Sequence, residues 1–327
     1  PEIVVSTGAM LDYLYDTQMN SLKHINHIEL YSVDSYMIID SSTRRNLELT
    51  ETMRDKQKKG SLLWVLDKTK TAMGARKLRE FVEQPLLSKD AIEHRLDAIE
   101  AMNNALITRE ELREYLNTIY DLERLMTRIS LKTANPRDML SFKNSIHYLP
   151  DIKNLLKELS ADYYSEVYNN LDTLTDLYEL LEASIDEEPP ISIKEGGIFK
   201  AGYSDKIDEL KLAKTECKNW LASLEAEERE KTGIKGLKIK YNKVFDYYFE
   251  VTNSFKDMVP DYFIRKQTLA NAERYTTDKL AELSNTILGA EDRLYALEYE
   301  TYVSLRDKIG EALTRVQQTA HYIAELD

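Results

Sequence analysis

Leu237-Lys238-Ile239-Lys240-Tyr241, Asn242-Lys243-Val244-Phe245-Asp246, Tyr247-Tyr248-Phe249-Glu250-Val251-Thr252: across these sixteen residues the sequence changes its period. Leu237, Ile239 and Tyr241 alternate with Lys238 and Lys240, which predicts a strand with one apolar and one basic face. Residues 242–246 can turn the chain, and the aromatic and β-branched run 247–252 predicts the partner strand. On either side the spacing is helical. Upstream, Ile207, Leu210, Cys217, Leu221 and Leu224 are nearly heptad, with Lys214 interrupting one seam position, and Thr232-Gly233 and Gly236 stop the helix. Downstream, from about Thr277, Leu280, Leu283, Ile287, Leu294, Leu297, Leu305 and Ile309 predict one helix running nearly to the end. It would have about 45–50 residues and a length of roughly 70 Å. A globular domain rarely needs such a helix, whereas an arm carrying a small β head does.

The strongest boundary lies upstream of this arm. Glu187-Glu188-Pro189-Pro190 breaks the helical pattern, and Gly196-Gly197 and Gly202 follow. Before it the chain reads as a multi-helix domain. Leu11, Leu14, Tyr15, Met19 and Leu22 predict a helix within 11–30. Tyr36-Met37-Ile38-Ile39 is strand-like, and Ser42-Thr43 opens a helical segment through Leu47 and Leu49. Residues 61–83 predict two helices parted near Thr69-Lys70-Thr71, the second ending before Pro85. Ser88-Lys89-Asp90 opens a helix with Ile92, Leu96 and Ile99 on one face. Asn135-Pro136-Arg137-Asp138 is a helix start: Asn accepts an orphan N–H, Pro suits the first position, and Asp faces the positive dipole end. Leu149, Ile152, Leu155, Leu156 and Leu159, then Leu171, Leu174, Tyr178 and Leu181, continue helical spacing. The predicted class is mainly α, with long helices in the larger domain and a small β-containing part inserted at the end of two of them.

Composition fits. Ten Gly and seven Pro in 327 residues, with 31% charged residues, suit long helices with solvated faces. The 21 Tyr give cores and contacts rings with a polar tip. The single cysteine, Cys217, excludes an internal disulfide or a cysteine-built zinc site and suits a reducing compartment. No apolar run approaches the roughly 20 residues of a membrane span. The start, Pro1-Glu2-Ile3-Val4-Val5, shows no signal-peptide pattern and lacks Met, so a fragment is expected. His24 and His27 are an i, i+3 pair without a third ligand nearby in sequence, weak grounds for a metal. No nucleophile–base constellation stands out.

The net charge of −13 argues against nucleic acid as a partner. Locally it reverses: residues 229–243 hold six Lys or Arg (Arg229, Lys231, Lys235, Lys238, Lys240 and Lys243) against Glu230, a net of +5. Screening limits electrostatic reach to about 10 Å at ordinary salt, so docking on phosphates obeys the local charge. Such a run is also what a plain solvated surface looks like.

Four strings resemble the MutS family. They are Thr43-Arg44-Arg45-Asn46-Leu47-Glu48-Leu49; Gly60-Ser61-Leu62-Leu63-Trp64-Val65-Leu66-Asp67 with Thr71-Ala72-Met73-Gly74-Ala75-Arg76; Lys132-Thr133-Ala134-Asn135-Pro136-Arg137-Asp138; and Arg265-Lys266-Gln267-Thr268-Leu269-Ala270-Asn271-Ala272-Glu273-Arg274-Tyr275. They are ordered as in the family and span almost the whole chain. The resemblance implies a connector tail at 1–11, a core or lever domain at 12–200 and 286–327, and a clamp at 201–285. Members usually begin with a domain whose Phe-x-Glu loop wedges into a mismatch. Phe81-Val82-Glu83 spells that motif inside a helical pattern, so it is read as a decoy. Members usually end with an ATPase, but no G-x-x-x-x-G-K-[ST] occurs here, so the fragment itself is expected to be no enzyme and to hold no cofactor. By resemblance the intact protein would use ATP and Mg, bind double-stranded DNA, pair with a second MutS subunit and a MutL-type partner, need no membrane, and sit in the bacterial cytoplasm on the nucleoid.

The resemblance also implies which residues would meet the DNA backbone: Asn242 and Lys243 at the turn, Asn271 and Arg274 from the last string, and more weakly Lys266 and Lys240. Each has a bland alternative. Asn242 can cap a turn, and Arg274 can pair with Glu273 or Glu250. Two departures count against the grip: Asp246 stands where most members have Gly, and Ala270 where many have Lys. The competing reading is a structural coiled-coil arm used only for assembly.

Overall fold

The computed structural model describes residues 2–17 and 35–327. Local capping chemistry sets many of its element boundaries. In chain order the helices are α1 (Glu2–Thr17), α2 (Ser41–Asn46), α3 (Leu62–Leu66), α4 (Ala72–Glu83), α5 (Lys89–Asn104), α6 (Leu106–Asn117), α7 (Leu122–Ser130), α8 (Pro136–Ile146), α9 (Leu149–Leu155), α10 (Asp162–Asn170), α11 (Thr175–Ser184) and α12 (Asp205–Thr232). The strands β1 (Lys238–Asn242), β2 (Asp246–Thr252), β3 (Ile264–Thr268) and β4 (Ala272–Thr276) follow, and then α13 (Asp278–Gly310) and α14 (Leu313–Leu326). The fold is mainly α with one small antiparallel sheet. The chain forms two compact units, residues 1–191 with 303–327, and residues 192–302.

In the first unit, Asn135 and Asp138 form a full capping box at the start of α8: Asp138 N donates to Asn135 Oδ1 and Asn135 N to Asp138 Oδ2, both at 3.0 Å. Arg128 ties the same Asp138 to α7 at 2.5 Å. Ser61, Thr71 and Ser88 cap α3, α4 and α5 with their hydroxyls. The core gathers Met126, Met139, Phe142, Leu149 and Val167 with Val316, Ala320 and Ile323 of α14, which packs on α4 and α7. Asp327 follows α14, and its carboxylate accepts from Lys70 N and Thr71 N, each at 2.7 Å, and from Thr71 Oγ1 at 2.8 Å. A Cβ on Gly74 would overlap that carboxylate, so this approach requires a glycine.

In the second unit, α12 ends on Gly233 at φ +71°, a left-handed stop that glycine adopts without penalty. The sheet order is β1-β2-β4-β3. One face, with Phe249, Val251 and Tyr275, packs with Phe263 on Cys217, Leu221 and Leu224 of α12 and Leu280 and Ile287 of α13.

Several expectations need correcting. The strand at 36–39 is only an isolated bridge, Tyr36 to Leu86; the neighbouring Pro85 has no N–H to extend a ladder, and Met37 and Ile38 stay exposed. The segment from Ser42 is one short helix ending at Asn46, with Leu47 as its C-cap. Leu171 and Leu174 lie outside helices, with Leu174 at φ +52°. The expected final helix is two: α13 has 33 residues and α14 has 14. Gly310, a poor helix former, closes α13, and Ala312 N turns to Ile309 O at 3.1 Å, a tighter three-residue bond. Ile92, Leu96 and Ile99 share a helical spacing but are exposed. Strands β3 and β4 were not foreseen from the pattern, since β4 is buried on both faces and shows no alternation. The expected 11–30 helix is seen as the end of α1, and the rest, with His24 and His27, lies outside the described residues.

Candidate nucleic-acid interface

Register fixes which side chains share the sheet's outer face. Lys238 lies opposite Glu250, Glu250 opposite Arg274, and Gln267 opposite Arg274. These four residues form one row across all four strands, on the side away from Phe249 and Val251. Lys240 stands in the next row, opposite Tyr248. Two basic candidates, Lys240 and Arg274, are therefore brought onto one face, and both are already engaged. Lys240 Nζ lies 2.7 Å from Glu250 Oε1, which raises the lysine pKa. The Arg274 guanidinium lies 4.6 Å over the Tyr248 ring, and its Nη1 donates to Gln267 Oε1 at 2.7 Å. Arg274 thus bonds Gln267 rather than Glu273 or Glu250, and its Nε is buried with no acceptor.

The other candidates sit at the ends and edge of the sheet. Asn242 closes β1, and its Oδ1 accepts from Val244 N at 2.9 Å and Phe245 N at 2.8 Å, an Asx turn that leaves only the amide NH2 to donate elsewhere. Lys243 is exposed in that turn. Asp246 follows at φ +57°, a left-handed conformation Asp tolerates better than most residues. Asn271 is exposed at the opposite end, between β3 and β4, where its carbonyl accepts from Asn253 N at 3.2 Å. Seven β2 residues separate the two ends, a span of about 23 Å at 3.3 Å each. The structure therefore does not bring Asn242 and Asn271 together. Lys266 is exposed at the irregularity between Arg265 and Gln267 on the edge strand β3.

Ion pairing divides the basic run. Arg229 is held by Glu225, Lys231 by Glu227 at 2.6 Å, and Lys240 by Glu250. Among the described residues Lys235, Lys238, Lys243 and Lys266 have no ion-pair partner, and Lys235 and Lys238 are sites the sequence reading did not single out. For Arg229 and Lys231 the neutralising residues stand four positions upstream on α12, just outside the window that gave +5, and their i, i+4 spacing was readable. Residues 233–277 still hold eight Lys or Arg against five Asp or Glu, a net of +3 in a chain of −13. Glu273, almost fully buried, gathers Lys256 at 2.8 Å, Arg265 at 3.7 Å and the Tyr275 hydroxyl, and the Lys256 hydrogen bond, with that of Tyr275, holds its carboxyl below the usual range.

Phe81-Val82-Glu83 lies in α4, where Arg95 stacks on Phe81 at 3.6 Å, an internal contact. Among the described residues no group of His, Cys, Asp and Glu could hold a metal ion, and no helix is long and apolar enough to cross a membrane.

The chain thus combines a helical unit with a second unit in which a four-stranded sheet packs on two long helices. The model of MutS domain III matches residues 42–327, and the chain belongs to the MutS family. Similar relatives all carry the name DNA mismatch repair protein MutS. That of Lachnoclostridium phytofermentans is 59% identical over 324 residues, 99% of this chain and 35% of the relative. Those of Acetivibrio thermocellus and Caldanaerobacter subterraneus subsp. tengcongensis are 52% and 53% identical over 98% and 99% of this chain, each covering 37% of the relative. The chain thus spans little more than a third of the length of these relatives.

Proposed function

We propose that this chain is the lever and clamp of a DNA mismatch-repair protein, with the clamp at 201–285 gripping duplex DNA by its backbone. The observation that carries this reading is the set of unpaired lysines, Lys235, Lys238, Lys243 and Lys266, on the outer face and edges of a net-positive sheet in an acidic chain. Lysine ammonium groups attract phosphate without reading base edges, so the grip is indifferent to sequence and to mismatch. The lever role, at 12–200 and 286–327, rests on helix stiffness: α13 runs 33 residues with one internal glycine before its last residue. ATP and Mg, a second MutS-type subunit and a MutL-type partner belong to this reading as properties of a whole protein.

Fluorescence anisotropy with labelled matched and mismatched duplexes tests it. Equal affinity for both duplexes is expected, falling steeply from 50 to 200 mM salt. Replacing the four lysines by Ala should flatten the slope of log affinity against log salt by roughly 3.6, at about 0.9 per lost phosphate contact. An unchanged slope refutes the backbone grip. The assembly-arm reading has its own support in Leu212 and Trp220, which are 66% and 52% exposed on α12. It requires concentration-dependent mass by light scattering and no effect of the lysine changes on DNA.

A further inference from the structure

Glu250 is misplaced for a phosphate-binding face. It stands at the centre of the row Lys238–Glu250–Arg274–Gln267, with Lys238 directly across on one side and Arg274 on the other. Lys240, one diagonal step away, bends to it at 2.7 Å. Directly opposed residues in a sheet stand about 5 Å apart at Cβ, so Lys238 and Arg274 flank the carboxylate that Lys240 pairs with. Each carboxylate oxygen accepts as a phosphate oxygen would. The Glu250 side chain is only 22% exposed, whereas that of Lys240 is 49% exposed, so the lysine can swing to solvent while the acid stays. Arg274 cannot complete the set for itself: its Nε is buried without an acceptor, although Nη1 is bonded to Gln267.

We propose that Glu250 is an internal stand-in for a DNA phosphate, competing for Lys240 and repelling the backbone from Lys238 and Arg274, and so setting a weak, readily reversed grip. This rests on the backbone grip proposed above. A clamp that must close and reopen gains from such a competitor, because Lys240 keeps a partner while DNA is absent. The alternative, that Glu250 only ties β1 to β2, predicts no gain in DNA affinity when it is neutralised.

Glu250→Gln keeps the shape and removes the charge. In the same anisotropy titration it should bind duplex tighter than the parent chain at 50 mM salt. The slope against log salt should steepen by about 0.9, as expected for one more released counterion. The advantage should therefore shrink roughly 3.5-fold by 200 mM. Glu227→Gln is the control. It removes the same charge beside Lys231 and Lys279, which lie on the helices and not on the strands of the sheet, and Lys231 keeps Glu228 at 3.8 Å. Tightening by Glu250→Gln alone, reversed by adding Lys240→Ala, is the expected result. Equal tightening by both variants reduces the effect to net charge, and no tightening makes Glu250 merely structural; either overturns the proposal. If the parent chain and all variants fail to bind duplex even at 20 mM salt while keeping the parent thermal midpoint, the backbone grip itself fails. Binding by the parent with no gain from Glu250→Gln fails only this inference.

Discussion

Single side chains in this protein hold positions that their chemistry makes hard to replace. Asn135 satisfies Asp138 N while Asp138 satisfies Asn135 N, so truncating either leaves a helix-end donor orphaned. Asn135→Ala should lower stability by about 1 kcal/mol, read as a reduced urea midpoint at unchanged slope. Gly74→Ala should cost more, since its methyl would displace Asp327 from the backbone of Lys70 and Thr71. Removing the carboxylate as well, in Gly74→Ala with Asp327→Ala, should cost less than the sum of the two single losses. Glu273 provides a pH prediction. Its folded pKa lies below the ordinary carboxylate value, chiefly through Lys256. Its contribution is therefore present above the unfolded pKa and is lost as pH falls through the folded one, below about pH 4.5. Acid titration followed by tyrosine fluorescence should show the parent losing stability in that window, with Glu273→Gln showing a flatter profile. Equal slopes for the two would contradict the assignment.

The long helix α13 shows where sequence reading succeeds and where it stops. Its apolar positions Leu280, Ile287, Leu294, Leu305 and Ile309 are all buried, as their spacing implies. Its end was missed because the period of apolar residues continues across Gly310 into α14, and periodicity does not register a break that keeps the burial pattern. Gly310 itself was the available signal. The β1–β2 hairpin was legible because β1 alternates; β4 was not, because an internal strand buried on both faces carries no period-2 signature, and the edge strand β3, exposed along nearly its whole length, carries none either. The basic run was legible as charge but not as available charge, since Glu225 and Glu227 act from the preceding helix. Within α13 a test of rigidity presents itself at Gly289, where an added Cβ would meet nothing within 4 Å. Gly289→Ala should raise stability by about 0.5–1 kcal/mol, measured by chemical denaturation. A loss instead would mean that the backbone at 289 departs from ordinary helix.

Taken whole, the chain is discontinuous in one half and continuous in the other. The unit at 192–302 is a single run of sequence, whereas the unit around it is closed only by residues 303–327. Those last residues are not decoration: Val316, Ala320 and Ile323 of α14 are fully buried against α4 and α7. The consequence falls on the ribosome. The first 191 residues must wait, with the α14 docking face open, while 192–302 are translated, a delay of about 5–20 s at 5–20 residues per second. The inserted unit is complete before its host and should fold first. Nascent chains stalled with α14 still in the exit tunnel should yield a protease-resistant fragment from 192–302 and a sensitive N-terminal half. Resistance of both halves at that length would show that the host closes without its last helix.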